Sequence, residues 1–71
     1  MSEFRPWKNS EKYIDKGRIR ITLFSKRRKA TGMFDYRVIM QDLISDKVKA
    51  DEEFDVKEEA LEYMSDLYNN I

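Results

Sequence analysis

Between residues 18 and 54, apolar and polar side chains alternate in three runs. In the first, Ile19, Ile21 and Leu23 fall on one side, and Arg18, Arg20, Thr22 and Phe24 fall on the other. A period of two rich in β-branched residues marks a half-buried strand. In the second, Phe34, Tyr36, Val38 and Met40 alternate with Asp35, Arg37, Ile39 and Gln41. In the third, Val48, Ala50 and Phe54 alternate with Lys47, Lys49, Asp51 and Glu53, whose charges suit a sheet edge. The run from Ser25 to Gly32 and the pair Ser45-Asp46 read as turns. From Asp55 the period lengthens. Val56, Ala60, Met64 or Tyr63, Leu67 and Ile71 recur at helical spacing, and Leu61 and Tyr68 widen the stripe. Asp55 stands where an N-cap belongs, with Glu58 at the capping-box spacing. The acids Asp55, Glu58 and Glu59 favour the positive end of the helix dipole, and Asn69-Asn70 reads as its fraying end.

The first sixteen residues carry Phe4, Pro6, Trp7, Tyr13 and Ile14 without a clean period. The stretch from Asn9 to Gly17 reads either as one or two helical turns, capped by Asn9 or Ser10 and ended by Gly17, or as a short strand turning at Asp15-Lys16-Gly17. Trp7 is expected to lid one end of the core. The pattern therefore predicts one two-layer α+β domain spanning 1–71. A three-stranded antiparallel sheet (17–54) packs on one C-terminal helix (55–71), behind an irregular or short-helical N-terminal segment (1–16). Ile19, Ile21, Leu23, Phe34, Tyr36, Val38, Met40, Val48, Ala50 and Phe54 form its inner face.

Composition narrows the chemistry. The 71 residues include no Cys and no His, which excludes a disulfide framework, a thiolate zinc site and a cysteine nucleophile, and removes the commonest metal ligand. No apolar run approaches the ~20 residues of a membrane span, and no signal-peptide pattern opens the chain, so a cytoplasmic, soluble domain without a membrane partner is expected. Charged residues are 39% of the chain, with 14 Lys+Arg balancing 14 Asp+Glu. The balance hides a polarity. Residues 1–31 hold ten basic and three acidic residues, net +7, and residues 32–71 hold four basic and eleven acidic, net −7. That asymmetry points to a basic surface for a polyanion, to an acidic surface for a basic partner, or to a dipolar surface that folds back on itself.

Alternation puts Arg18, Arg20, Thr22, Phe24, Arg37, Gln41 and Lys49 on the sheet face away from the helix. With Ile21 opposite Tyr36, Arg20 meets Arg37, and like charges placed directly across cost stability unless a phosphate or Glu53 neutralises them. A slipped register sets Arg20 against Asp35 instead. Lys26, Arg27, Arg28 and Lys29 follow at the hairpin tip, a run typical both of phosphate contacts and of solvated turns. Phe24 stands beside this face, either to stack on a base or to cap the sheet edge.

The order of three antiparallel strands then a helix, closing with Phe54-Asp55-Val56-Lys57-Glu58-Glu59-Ala60-Leu61, resembles the arm-type DNA-binding domain of phage integrases (tyrosine recombinases) over Arg18 to Leu67. The resemblance implies that the exposed sheet face lies in the major groove of DNA, backed by the helix. It would turn Arg18, Arg20, Thr22, Arg37, Gln41 and Lys49 toward the duplex.

An active site is not expected. A calcium loop and a Gly-rich phosphate loop are missing from the sequence. A two-layer domain of this size has little enclosed volume in which to raise a carboxylate pKa. Neither cofactor nor metal is expected. The leading reading is a non-enzymatic module binding DNA or RNA. Its rival is a small inhibitor or adaptor of the kind mobile elements encode, docking the acidic helix face of Glu58, Glu59, Glu62 and Asp66, or the third-strand edge, on a basic protein. A third reading is a homodimer joined through the open edge or the opposed charges.

Overall fold

In a computed structural model, residues 9–71 are described. The expectation for Trp7 lies outside the described residues. Four strands, β1 (Asn9–Lys16), β2 (Ile19–Arg27), β3 (Phe34–Asp42) and β4 (Val48–Phe54), form an antiparallel meander in the order β1-β2-β3-β4. One helix, α1 (Lys57–Asn69), packs against one face. The α+β class and the two layers are as the pattern predicts. The sheet has four strands rather than three, because Asn9–Lys16 is a strand and not a helical turn. It pairs with β2 from Asn9↔Ser25 to Lys16↔Ile19 around a two-residue loop, Gly17-Arg18. Gly17 takes φ +62° there, the left-handed value a first loop position of a tight hairpin requires.

The core is Ile19, Ile21, Leu23, Val38, Ala60 and Met64, with Ile14, Tyr36, Met40, Phe54, Leu61, Tyr63 and Leu67 packed around it. Burying these apolar side chains between sheet and helix is the main force holding the domain together. Several expected members stay outside. Phe34, Val56 and Ile71 are exposed at the ends of their elements. Val48 is exposed because an irregularity between Met40 and Gln41 pairs Met40 with Ala50 but Gln41 with Val48. The extra residue, Lys49, shifts Val48 to the other face.

The helix begins one residue later than the capping pattern suggests. Val56 is its N-cap residue, with no side-chain cap. Asp55 lies 3.6 Å from Arg28 instead. At the other end no basic residue occupies the last turn, so the exposed carbonyls have no local cation to face. Strand β1 supplies one. Lys16 Nζ donates to the Tyr68 carbonyl at 3.1 Å and lies 4.7 Å above the Tyr68 ring.

The β2–β3 register is neither of the two expected. Ile21 pairs with Met40, Arg20 with Gln41 and Phe24 with Arg37. The hairpin keeps its predicted faces, but each cross-strand partner lies four residues further along. The connecting segment runs from Arg28 to Met33, longer than the expected register allows, and β2 continues through Ser25, Lys26 and Arg27.

Candidate functional site: the open face and the acidic ridge

The sheet face opposite α1 carries Tyr13, Asp15, Arg20, Thr22, Phe24, Lys26, Asp35, Arg37, Ile39, Gln41, Asp51 and Glu53. Arg20 Nε donates to Asp15 Oδ1 at 2.7 Å and its Nη2 to Oδ2 at 3.1 Å, while its guanidinium stacks 4.2 Å from the Tyr13 ring. Arg37 grips Asp51 in the same forked way, at 2.7 and 2.6 Å. Paired forks of this kind fix orientation as well as charge. Both effects reach the titration. The Arg20 guanidinium holds Asp15 below the usual carboxylate range, and Arg37 does the same to Asp51.

Arg18 is not on the open face. It sits in the β1–β2 loop, and its Nε donates to Asp42 Oδ2 at 2.7 Å. Asp42 is buried, at 1% exposure. Burial works against its charged form, but the Ser45 amide, the Arg18 guanidinium and the Ile44 amide outweigh it and hold the carboxyl at about 2. This carboxylate ties the β1–β2 loop to the β3–β4 turn, where Asp46 adopts φ +63°.

The expected basic cluster is therefore dispersed. Arg20 and Arg37 project from the same face, but Arg37 lies across from Phe24, four residues along from the Arg20 position, about 13 Å away. Gln41 donates to Asp46 at 2.6 Å. Thr22 and Phe24 are half-buried, and Ile39 at the centre of the face is 2% exposed, as closed off as the core. Lys49 is the exposed bulge residue of β4. Of the four-cation run, Arg28 forms a fork with Asp35 at 2.6 to 3.0 Å. Lys26 is exposed opposite Asp35, and Arg27 and Lys29 are exposed at the hairpin tip.

The acids of the helix contrast with this. Glu58, Glu59, Glu62 and Asp66 are all exposed and, among the described residues, none makes an ion pair. Glu52 of β4 extends the negative surface beside them. Tyr63, which stacks at a tilt on Phe54 with centroids 5.3 Å apart, has its phenol pushed up by burial and then by the charges of Glu52 and Asp51. Residue pattern foretold the helix acids. The carboxylate that takes each arginine is set by register and was not readable.

Among the described residues no group of three or more His, Cys, Asp or Glu could hold a metal ion, and no helix is long and apolar enough to cross a membrane. No protein-family model matches the chain, and no curated protein and no solved structure matches it.

Proposed function

We propose that this chain is a non-enzymatic protein-binding module that docks the acidic ridge of α1 and β4 on a basic partner surface. One contrast carries the reading. Arg18, Arg20, Arg28 and Arg37 are each held by a carboxylate of the same chain, whereas Glu58, Glu59, Glu62 and Asp66 have no such partner among the described residues. An unpaired Asp66 near a helix C-terminus is unfavourable for the helix itself, so stability does not explain it. Complementary charge would instead steer a basic partner and set orientation.

The test uses two probes at two ionic strengths: a twelve-residue Lys/Arg-rich peptide and a 20-base-pair duplex. The reading expects the basic peptide to bind at low salt, to weaken as salt rises, and to be lost in the Glu59→Lys/Glu62→Lys double variant. Equal binding by that variant overturns it.

A second reading, nucleic-acid binding, keeps one supporting observation. Arg27 and Lys29 are exposed at the hairpin tip without an ion pair among the described residues. Their contacts would be to phosphates, which position without reading sequence. Duplex binding at low salt that falls on Arg27→Glu/Lys29→Glu substitution, and survives Glu59→Lys/Glu62→Lys, would favour it over the first. Layout resemblance to the integrase arm domain bears on this second reading alone.

A further inference from the structure

Among the described residues strand β1 is an edge of the sheet, and α1 lies over β2, β3 and β4 and leaves it largely uncovered. Between β1 and α1 runs a groove of about 290 Å³ lined by Lys12, Ile14, Leu61, Met64, Ser65 and Tyr68. Contacts span it at both ends. Lys57 Nζ meets Glu11 at 3.1 Å, and Lys16 Nζ meets the Tyr68 carbonyl at 3.1 Å. Its floor is apolar, and on the β1 side Lys12 and Lys16 flank Ile14 at alternate positions on the same face.

The tight β1–β2 loop determines which backbone groups point outward. Lys16 and Ile19 close the two-residue turn, so the peptide groups of Lys16 and Ile14 bond inward to β2, and those of Tyr13 and Asp15 point away from it. An added strand would pair through Tyr13 and Asp15. The residue it placed opposite Ile14 would then be in a closely spaced, non-hydrogen-bonded pair, directly above the groove.

We infer that the β1 edge captures an extended acidic segment of a partner protein, one carrying acidic, apolar and acidic residues at alternate positions. The apolar residue sits against Ile14 in the groove, and the acids face Lys12 and Lys16. A second copy of this chain fits worse. Two-fold pairing must set outward-pointing residues against each other. The register pairing Tyr13 with Asp15 of the other copy puts Lys12 against Lys16 twice. A register centred on Asp15 opposes two aspartates, and one centred on Tyr13 brings Asp15 toward Glu11. Like charges directly across destabilise a sheet. The site differs from the acidic ridge in charge and in its pairing element, β1, although α1 lines one wall of the groove.

The test uses a capped peptide, Thr-Glu-Thr-Val-Thr-Glu-Thr, titrated against the full chain with amide hydrogen exchange as readout, and a control peptide with both Glu replaced by Lys. The expected result is saturable binding that slows exchange at the Tyr13 and Asp15 amides. The Lys control should bind about tenfold more weakly, since two attractive cross-strand pairs become repulsive. Lys12→Glu/Lys16→Glu should invert the preference, and Ser65→Trp, which fills the groove without altering the edge, should block both peptides. Binding without protection at Tyr13 and Asp15 overturns the proposal. So do equal affinities for the two peptides, no binding at about 1 mM, or sedimentation as a dimer that excludes the peptide.

Discussion

The two faces of the sheet are built by the same alternation and held together by different physics. Toward α1, strand side chains meet an apolar helix stripe, and Ile21, Leu23, Val38, Ala60 and Met64 leave at most 3% of their surface to water. Away from α1, long polar side chains lie across the strands in forked pairs, Arg20 with Asp15 and Arg37 with Asp51, around one buried aliphatic, Ile39. The first face is stabilised by area removed from water, which is insensitive to salt and nearly to register. The second is organised by charge geometry, whose contribution is small and screened. The lesson is that a face with arginines is not thereby a basic face: Asp15, Asp35, Asp51 and Glu53 share it with Arg20, Lys26 and Arg37.

The sharpest way to break this comparison is on the helix side. Leu23→Ala should cost about 2–5 kcal/mol, enough to leave so small a domain largely unfolded, as urea titration followed by circular dichroism would record. Next comes Ile39→Ala on the open face. If burial rather than side governs energetics, it should cost about 2–4 kcal/mol, like a core position. A loss under about 1 kcal/mol would show that the open face contributes little even at its centre. Gly17→Ala is smaller, at about 1 kcal/mol. Nothing lies within 4 Å of the added Cβ, so the cost would come from the left-handed backbone alone. The smallest effect belongs to the ion pairs. A double-mutant cycle of Arg37→Ala and Asp51→Ala should give a coupling of about 0.5 kcal/mol, shrinking in 1 M salt. A coupling above about 2 kcal/mol would mean the two faces are not so different.

Acid separates the faces in another way. Asp15, Asp35, Asp51, Glu11 and Asp42 all have carboxyls held below their ordinary values, Asp42 at about 2. A depressed folded-state pKa adds stability that is fully present above the unfolded value near 4 and is lost as pH falls through the folded value. Stability should therefore be flat above about pH 5 and fall between about pH 4 and 2. Asp42→Asn should flatten part of that fall, because it removes the titrating group whose charge the Ser45 and Ile44 amides and Arg18 hold in place. Thermal melts at half-unit pH steps would record it.

Strands β2, β3 and β4 and the helix were readable because each carries several apolar residues at its own period. Strand β1 left the choice of helix or strand open because only Ile14, among its eight residues, turns an apolar side chain to the core, and the polar Asn9, Lys12 and Lys16 take other helix-side places. The Asp55 cap failed for a related reason. A carboxylate three residues before Glu58 matches a capping box in spacing, but the chain leaves β4 with Val56 in extended geometry as the first helical boundary. Arg18 was assigned to a strand face one residue beyond the strand's start, and a single residue there decides between the open face and the Asp42 contact.

Periodicity by itself determined the two layers, the helix and which residues of β2 and β3 look toward it, because in an unbroken strand the face follows from the parity of the position; the bulge at Lys49 broke that rule for Val48. Register, the carboxylate partners of Arg18, Arg20, Arg28 and Arg37, and the open edge of β1 among the described residues were decided by the tertiary structure. The observed β2–β3 pairing differs from the expected one by four residues, an even slip that keeps every side chain on its face and changes every neighbour across the strand. Hydrophobic pattern cannot distinguish such slips. Loop geometry, the Asp42 carboxylate and the cross-strand charge pairs do.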